Sequence, residues 1–228
     1  MISRLHFIYL VILLIFSSSL ESQTIPDSLI KYTPEFKFTD GIFPDFESVQ
    51  HNNPIPKNRI ISSVSYDDND FFDKTLALNK VYYYDNLGDK LELSTDKIWG
   101  YSRNGFLYIH IEDSYFRITL IGSICHFVGI HSYETYSPNY YNSYYYDSPY
   151  YPRNTTTATE QRQYLFDFKT GRVLDYDEEG VEILLMADPE LHDEYVQLSN
   201  KKKNQLKFLY IRKFNERNPL YLIKTKKE

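Results

Sequence analysis

The stretch Lys97-Ile-Trp-Gly-Tyr-Ser-Arg-Asn-Gly-Phe-Leu-Tyr-Ile-His-Ile-Glu-Asp-Ser-Tyr-Phe-Arg-Ile-Thr-Leu120 decides the fold of this chain. Its Asn104-Gly105 dipeptide supplies the positive φ angles that a tight hairpin turn requires. From Phe106 to Ile111, every second residue is leucine or isoleucine, the period-two pattern of a strand with one buried face. The stretch therefore predicts antiparallel strands joined by short turns.

The strand pattern continues on both sides of this stretch, and helical spacing replaces it near the C-terminus. The sequence predicts a short helix beginning at Pro44, then strands over 59–64, 81–84, 90–93, 97–101, 106–111, 115–121, 123–130, 162–168 and 172–174. Apolar residues recur at helical spacing from Glu178, then from Pro189 with Asp188 as a cap, and again over 201–216. Strands first and helices last predict an α+β fold, an antiparallel β-meander sheet packed by C-terminal α-helices.

The first residues have the layout of a secretory signal peptide. Arg4 precedes ten apolar residues, Phe7 to Phe16, and three serines follow. This run is shorter than the roughly 20 residues that a membrane-spanning helix needs. We therefore expect a signal peptide over 1–19, an extended lead-in over 20–39, and a single α+β domain over 40–228. An uncleaved amphipathic anchor is the alternative. The expected location is the periplasm, the cell surface or the extracellular space, with no transmembrane segment after cleavage.

Composition limits the partners of the mature chain. The formal charge of −6 excludes nucleic acid as an expected partner. Ten lysines and arginines nevertheless follow Ser199, so contact with an anionic surface through a basic C-terminal helix stays open. The alternative is a solvated helix face that the body's own carboxylates neutralise. Cys125 is the single cysteine, so no internal disulfide can form, and its apolar surroundings indicate a buried thiol.

A tyrosine-rich, low-complexity loop is predicted over 132–160. Nine tyrosines lie between Tyr133 and Tyr151, among Asn, Ser and Pro. Exposed tyrosines are typical of surfaces that bind glycans or proteins, because a flat apolar ring carries a hydroxyl group. An inert surface insertion is the alternative. The candidate binding residues are Tyr140, Tyr141, Tyr144, Tyr145 and Tyr146 of this loop, with the outward aromatics Phe106 and Tyr108.

Motifs for metal binding and catalysis are incomplete. The run from Asp175 to Gly180 begins like a calcium loop, but Met186 occupies the position that should chelate with two oxygens. No metal site and no cofactor are therefore predicted. His110 and Glu112 are the one candidate acid–base pair, expected to share a face opposite Arg117 or Thr119.

Several short motifs resemble a family of uncharacterised exported proteins of Gram-negative bacteria. They are Asp40-Gly-Ile-Phe, Ile98-Trp-Gly-Tyr with Asn104-Gly, Ile121-Gly-Ser-Ile-Cys-His-Phe, Tyr164-Leu-Phe-Asp-Phe-Lys-Thr-Gly, and Phe208-Leu-Tyr-Ile-Arg-Lys-Phe-Asn-Glu-Arg-Asn-Pro. The resemblance implies a bacterial origin and a periplasmic or cell-surface setting. The family has no assigned activity, so the resemblance transfers no functional residue.

Together these features favour an exported, non-catalytic protein of the bacterial cell envelope or secretome, a binding module for an envelope glycan or protein. Two alternatives stay open. One is an uncharacterised periplasmic hydrolase that uses His110 and Glu112. The other is an envelope assembly or structural factor that docks through its basic C-terminal helix.

Overall fold

The computed structural model describes residues 29–136 and 155–223. The predicted signal peptide over 1–19 and the predicted binding residues Tyr140, Tyr141, Tyr144, Tyr145 and Tyr146 lie outside the described residues. The described strands are β1 (Leu29–Lys31), β2 (Gly41–Phe43), β3 (Ile55–Pro56), β4 (Ile60–Ile61), β5 (Lys80–Tyr84), β6 (Lys90–Ser94), β7 (Gly100–Arg103), β8 (Phe106–Ile111), β9 (Ser114–Leu120), β10 (Ile124–Tyr136), β11 (Thr155–Asp167), β12 (Val173–Asp175) and β13 (Tyr221–Ile223). The described α-helices are α1 (Phe46–Gln50), α2 (Phe71–Leu76), α3 (Glu178–Leu185), α4 (Pro189–Val196) and α5 (Asn200–Arg217).

One large antiparallel sheet organises these elements. Its eight strands lie in the order β12-β11-β10-β9-β8-β7-β2-β3, so the strands from β7 to β12 are neighbours in chain order. There are two smaller antiparallel sheets. One has three strands in the order β4-β5-β6, and the other pairs β1 with β13. The predicted α+β fold, a meander packed by C-terminal helices, is confirmed.

The turn between β7 and β8 forms as its sequence predicts. Asn104 and Gly105 have φ angles of 55° and 77°, and Tyr101 pairs with Tyr108 across the hairpin. The apolar residues of β8 point into a core that also receives Phe127 of β10, and Leu107 is fully buried there. This core holds one face of the sheet together.

Helices α3, α4 and α5 cover the opposite face of β10 and β11. Their apolar residues surround Ile124 and Leu165 in a second buried cluster. The Asn215 side chain of α5 accepts a hydrogen bond from the Ile124 amide and donates one to the Ile124 carbonyl, both at 2.8 Å. These bonds fix the long helix to the start of β10.

Some boundaries differ from the predictions. Helix α1 begins at Phe46 rather than Pro44, because the carboxylate of Asp45 caps it by accepting from the Ser48 amide. The predicted strand 59–64 is reduced to β4, since Lys57–Arg59 forms a 3-10 turn. Strand β10 continues to Tyr136 and strand β11 begins at Thr155, so both strands extend into the segment 132–160 that is predicted as a loop. Among the described residues, no helix is both long and apolar enough to cross a membrane.

Candidate functional site

The inner face of the β10–β11 hairpin changes from apolar to polar along its length. Cys125 and Phe127 face the core, and the same face then carries Gly129, His131 and Tyr133. A Cβ atom at position 129 would lie 2.9 Å from His131 Nε2 and 3.1 Å from the Tyr164 ring. The glycine therefore leaves the space in which the imidazole of His131 folds back onto the sheet.

His131 lies between an acid and a phenol. Its Nδ1 atom is 3.3 Å from Glu112 Oε2, and its Nε2 atom is 2.9 Å from the Tyr164 hydroxyl. Both contacts are satisfied when the hydroxyl donates to Nε2 and the Nδ1–H group donates to the carboxylate. The His131 side chain is 13% exposed, whereas that of Glu112 is 65% exposed. The imidazole is thus held in place, and the carboxylate stays open to solvent.

A charged pair on β11 lies beside this histidine. Arg162 Nη2 donates to Glu160 Oε2 at 2.8 Å, and Glu160 is the direct cross-strand partner of His131. The hydrogen bond from Arg162 lowers the pKa of the Glu160 carboxyl, and the same bond raises the pKa of the guanidinium. Both groups therefore carry their charge at neutral pH and are available to a polar ligand.

These groups line one opening, which we call the hairpin cleft. It encloses about 360 Å³ between the β8–β9 turn and the hairpin, and its lining residues are Glu112, Asp113, Ser114, His131, Ser132, Tyr133, Glu160 and Arg162. The Tyr133 side chain adds an exposed aromatic ring to an otherwise polar wall. The cleft therefore combines hydrogen-bond acceptors, a fixed cationic donor and an apolar ring surface.

The predicted aromatics of β8 lie elsewhere and have neighbours of their own chain. Tyr108 is partly buried, with its ring stacked 4.6 Å from that of Tyr101. Phe106 is 39% exposed, but the Arg117 guanidinium lies 3.7 Å from its ring centroid and Lys37 lies 5.0 Å away. The protein's own side chains therefore already occupy much of these two ring surfaces.

His110 and Glu112 do not form the predicted pair. Strand β8 ends at Ile111, and Glu112 has a φ angle of 55° in the following turn, which directs its carboxylate to His131. His110 pairs with Tyr115 rather than with Arg117 or Thr119, and its ring stacks 4.5 Å from the tyrosine ring. The positive φ at Glu112 breaks the strand alternation on which the prediction rested.

Two other sequence motifs have structural roles. Asp177, from the calcium-like run, caps α3 by accepting from the Gly180 amide at 2.7 Å. Within residues 29–136 and 155–223, no group of three or more acidic, histidine or cysteine side chains could hold a metal ion. Cys125 is fully buried, as its surroundings predicted, and burial raises the pKa of its thiol to about 12.

No family model, curated protein or solved structure matches this chain. The resemblance to exported Gram-negative proteins therefore stays a prediction, and the interpretation of the cleft depends on its own geometry.

Sequence reasoning did not identify the hairpin cleft, because its members come from three separate segments. The sequence predicts His110 rather than His131 as the partner of Glu112, and it places Tyr133 within the tyrosine-rich loop. His131 and Glu160 lie in a polar stretch where strand alternation is weak, and Arg162 is only the first residue of the predicted strand 162–168. A signal was present in Gly129, since an isolated glycine within a strand marks a close approach of side chains or backbone.

Proposed function

We propose that this protein is an exported, non-catalytic binding module whose hairpin cleft binds a glycan. Carboxylates that accept and a guanidinium that donates match the hydroxyl groups of a sugar, and an exposed tyrosine ring matches its apolar face. Its volume of about 360 Å³ lies within the usual range of small-ligand pockets.

One observation carries the preference for binding over catalysis. Both ring nitrogens of His131 face protein partners, so the one group from which its imidazole could take a proton is the Tyr164 hydroxyl. The phenol that could serve as a nucleophile belongs to Tyr164, which is 7% exposed. The hydrolase alternative has also lost the His110 and Glu112 pair on which it depended. The imidazole instead holds the Glu112 carboxylate in place at the edge of the cleft through its Nδ1 contact.

The tyrosine-rich segment gives the cleft a neighbour along the chain. It connects Tyr136 to Thr155, which pair at the far end of the hairpin. Tyr136 follows the cleft residue Tyr133 by only a few positions, and Thr155 precedes the cleft residue Glu160 by a few positions, at about 3.3 Å per residue.

The test is a glycan array probed with the wild-type protein and with Tyr133→Ala. Tyr84→Ala is the matched control, because Tyr84 is 48% exposed and Tyr133 is 51% exposed. We expect Tyr133→Ala to weaken binding by about 10-fold, a loss of about 1.4 kcal/mol, and Tyr84→Ala to leave it unchanged. Equal affinities for the two variants, or binding to envelope proteins alone, would contradict the proposal.

A deletion of residues 137–154 separates the cleft from the predicted tyrosines. Binding that survives the deletion assigns the ligand to the cleft, whereas binding lost on deletion but retained in Tyr133→Ala assigns it to Tyr140, Tyr141, Tyr144, Tyr145 and Tyr146. Export is tested by mass spectrometry of the mature N-terminus, which we expect at Leu20. A product in the cytosol that retains Met1 would contradict the proposed location.

A further inference from the structure

The basic helix α5 carries its cations on two different sides. Four of its seven lysines and arginines are directed at the body of the protein. Lys203 pairs with Glu182 at 2.7 Å, Lys213 with Glu194 at 3.4 Å, and Arg217 with Asp188 at 2.9 Å. Lys207 is 9% exposed and donates to the Tyr176 carbonyl. These four cations contact the body of the protein, although Lys213 and Arg217 stay partly exposed.

The remaining three cations point outward. Lys201, Lys202 and Arg212 are exposed, and none of them forms an ion pair with any side chain in the described part of the chain. Phe208 and Leu209 lie between them in the sequence and are 42% and 48% exposed, and one edge of the Phe208 ring contacts His126, with ring centroids 5.9 Å apart. We call these five residues the outer face of α5. At 100° per residue they lie within an arc of about 120° along a helix roughly 27 Å long, and this arc also contains exposed Gln205 and Glu216.

Free cations beside exposed aromatic and aliphatic side chains are two of the features by which a helix binds a membrane interface. A lipid surface offers both partners at once, since headgroup phosphates attract the cations and the acyl boundary accepts the apolar side chains. A hydrated acidic polymer would attract the cations but would offer no apolar environment to Phe208 and Leu209.

The charge of the rest of the protein adds an orientation. Helix α5 contains seven cations and one carboxylate, so it contributes +6 to a chain whose formal charge is −6, and the remainder carries −12. An anionic surface therefore repels the body and attracts the outer face of α5. This opposition favours a single docking orientation.

We propose that the outer face of α5 docks on an anionic lipid surface. Phe208 and Leu209 enter the interface, and Lys201, Lys202 and Arg212 contact the phosphate groups. The surface is separate from the hairpin cleft and does not depend on the glycan-binding proposal.

The experiment is cosedimentation of the full chain with vesicles of phosphatidylcholine alone or with 30% phosphatidylglycerol. We expect binding to the anionic vesicles that weakens strongly between 0.1 M and 0.5 M salt. An association driven by the apolar leader would be equal on both vesicle types. No preference for anionic vesicles would overturn the proposal.

Three variants identify the surface. The triple variant Lys201→Gln, Lys202→Gln and Arg212→Gln should lower partitioning by about 100-fold, at roughly 5-fold per cation. The control removes three exposed lysines elsewhere, with Lys31→Gln, Lys97→Gln and Lys169→Gln, and should leave partitioning nearly unchanged. An equal loss in both triple variants would overturn the proposed surface.

Phe208→Ala distinguishes a lipid from another anionic partner. We expect it to lower partitioning by several-fold, with an unchanged circular dichroism spectrum, because Phe208 is 42% exposed and packs edge-on against His126 rather than within a buried cluster. Unchanged partitioning in Phe208→Ala, together with equal binding to an acidic polymer resin, would assign the surface to an acidic polymer and contradict lipid docking.

Discussion

The side chain of Asn215 should contribute more to stability than its partly exposed position on α5 suggests. Its amide gives Ile124 the two hydrogen bonds that a neighbouring strand would otherwise supply, because β9 pairs with β10 only from His126 onward. Ile124 is 1% exposed, so Asn215→Ala leaves a buried N–H group and a buried carbonyl without partners. Each such group costs about 1–3 kcal/mol, and alanine returns a few tenths through its helix propensity.

We therefore expect Asn215→Ala to lower the free energy of unfolding by about 3 kcal/mol, and the midpoint temperature by about 10 °C for a chain of this size. The assay is urea unfolding followed by far-ultraviolet circular dichroism. The matched control is Asn204→Ala on the same helix, where the side chain is exposed and forms no hydrogen bond with the described residues. The control should change stability by less than about 0.5 kcal/mol. Equal effects of the two substitutions would refute the proposed role of Asn215 in docking the helix.

Three further predictions concern the fold and its pH dependence. A Cβ atom at Gly100 would lie 2.0 Å from the Tyr108 carbonyl oxygen, so Gly100→Ala should lower the free energy of unfolding in urea by about 4 kcal/mol or more. The control is Gly88→Ala, where only a φ angle of 88° disfavours a side chain, and it should lower this free energy by about 1 kcal/mol. Burial lowers the pKa of His126, so the unfolded chain binds a proton at this imidazole more readily than the folded chain. The free energy of unfolding should therefore fall as the pH drops below about 6.5. His126→Gln should make this pH dependence shallower, and an unchanged slope in the variant would contradict the prediction. Burial alone would raise the pKa of Asp188, but hydrogen bonds from the Leu191 amide and Asn218, with the charge of Arg217, lower it overall. Asp188→Ala should therefore cost about 2 kcal/mol at pH 7, and the cost should shrink steadily as the pH falls below the ordinary carboxyl pKa toward the lowered one. A cost that stays constant over this range would argue against the ion pair.

Local patterns carried most of the fold. Strand β8 has the predicted bounds, because a turn with positive φ at Asn104 and Gly105 and a strict alternation both act over a few residues. Helix α4 begins at Pro189 with Asp188 as its cap, again a local signal. Elements that depend on distant partners were missed. Strands β1 and β13 have three residues each and form only because Leu29–Lys31 meets Tyr221–Ile223 from the other end of the chain.

The candidate site was harder to predict for the same physical reason. The polar outer part of the hairpin has little apolar alternation, so its strands were predicted as loop, and the side chains that they bring together were not recognised as neighbours. Strand alternation predicts that Tyr108 faces outward, but it does not show that the Tyr101 ring of the neighbouring strand stacks on the Tyr108 ring. Strand periodicity identifies the face of a side chain but not its cross-strand neighbours.

The most direct test of glycan binding in the hairpin cleft is a chemical-shift titration. Isotope-labelled protein would be titrated with the oligosaccharide that binds best on the array, and the amide shifts mapped onto the structure. Glycan binding at the cleft predicts that the largest changes cluster at residues 112–114, 131–133 and 160–162. Changes confined to residues 137–154, or clustered on the outer face of α5, would contradict it.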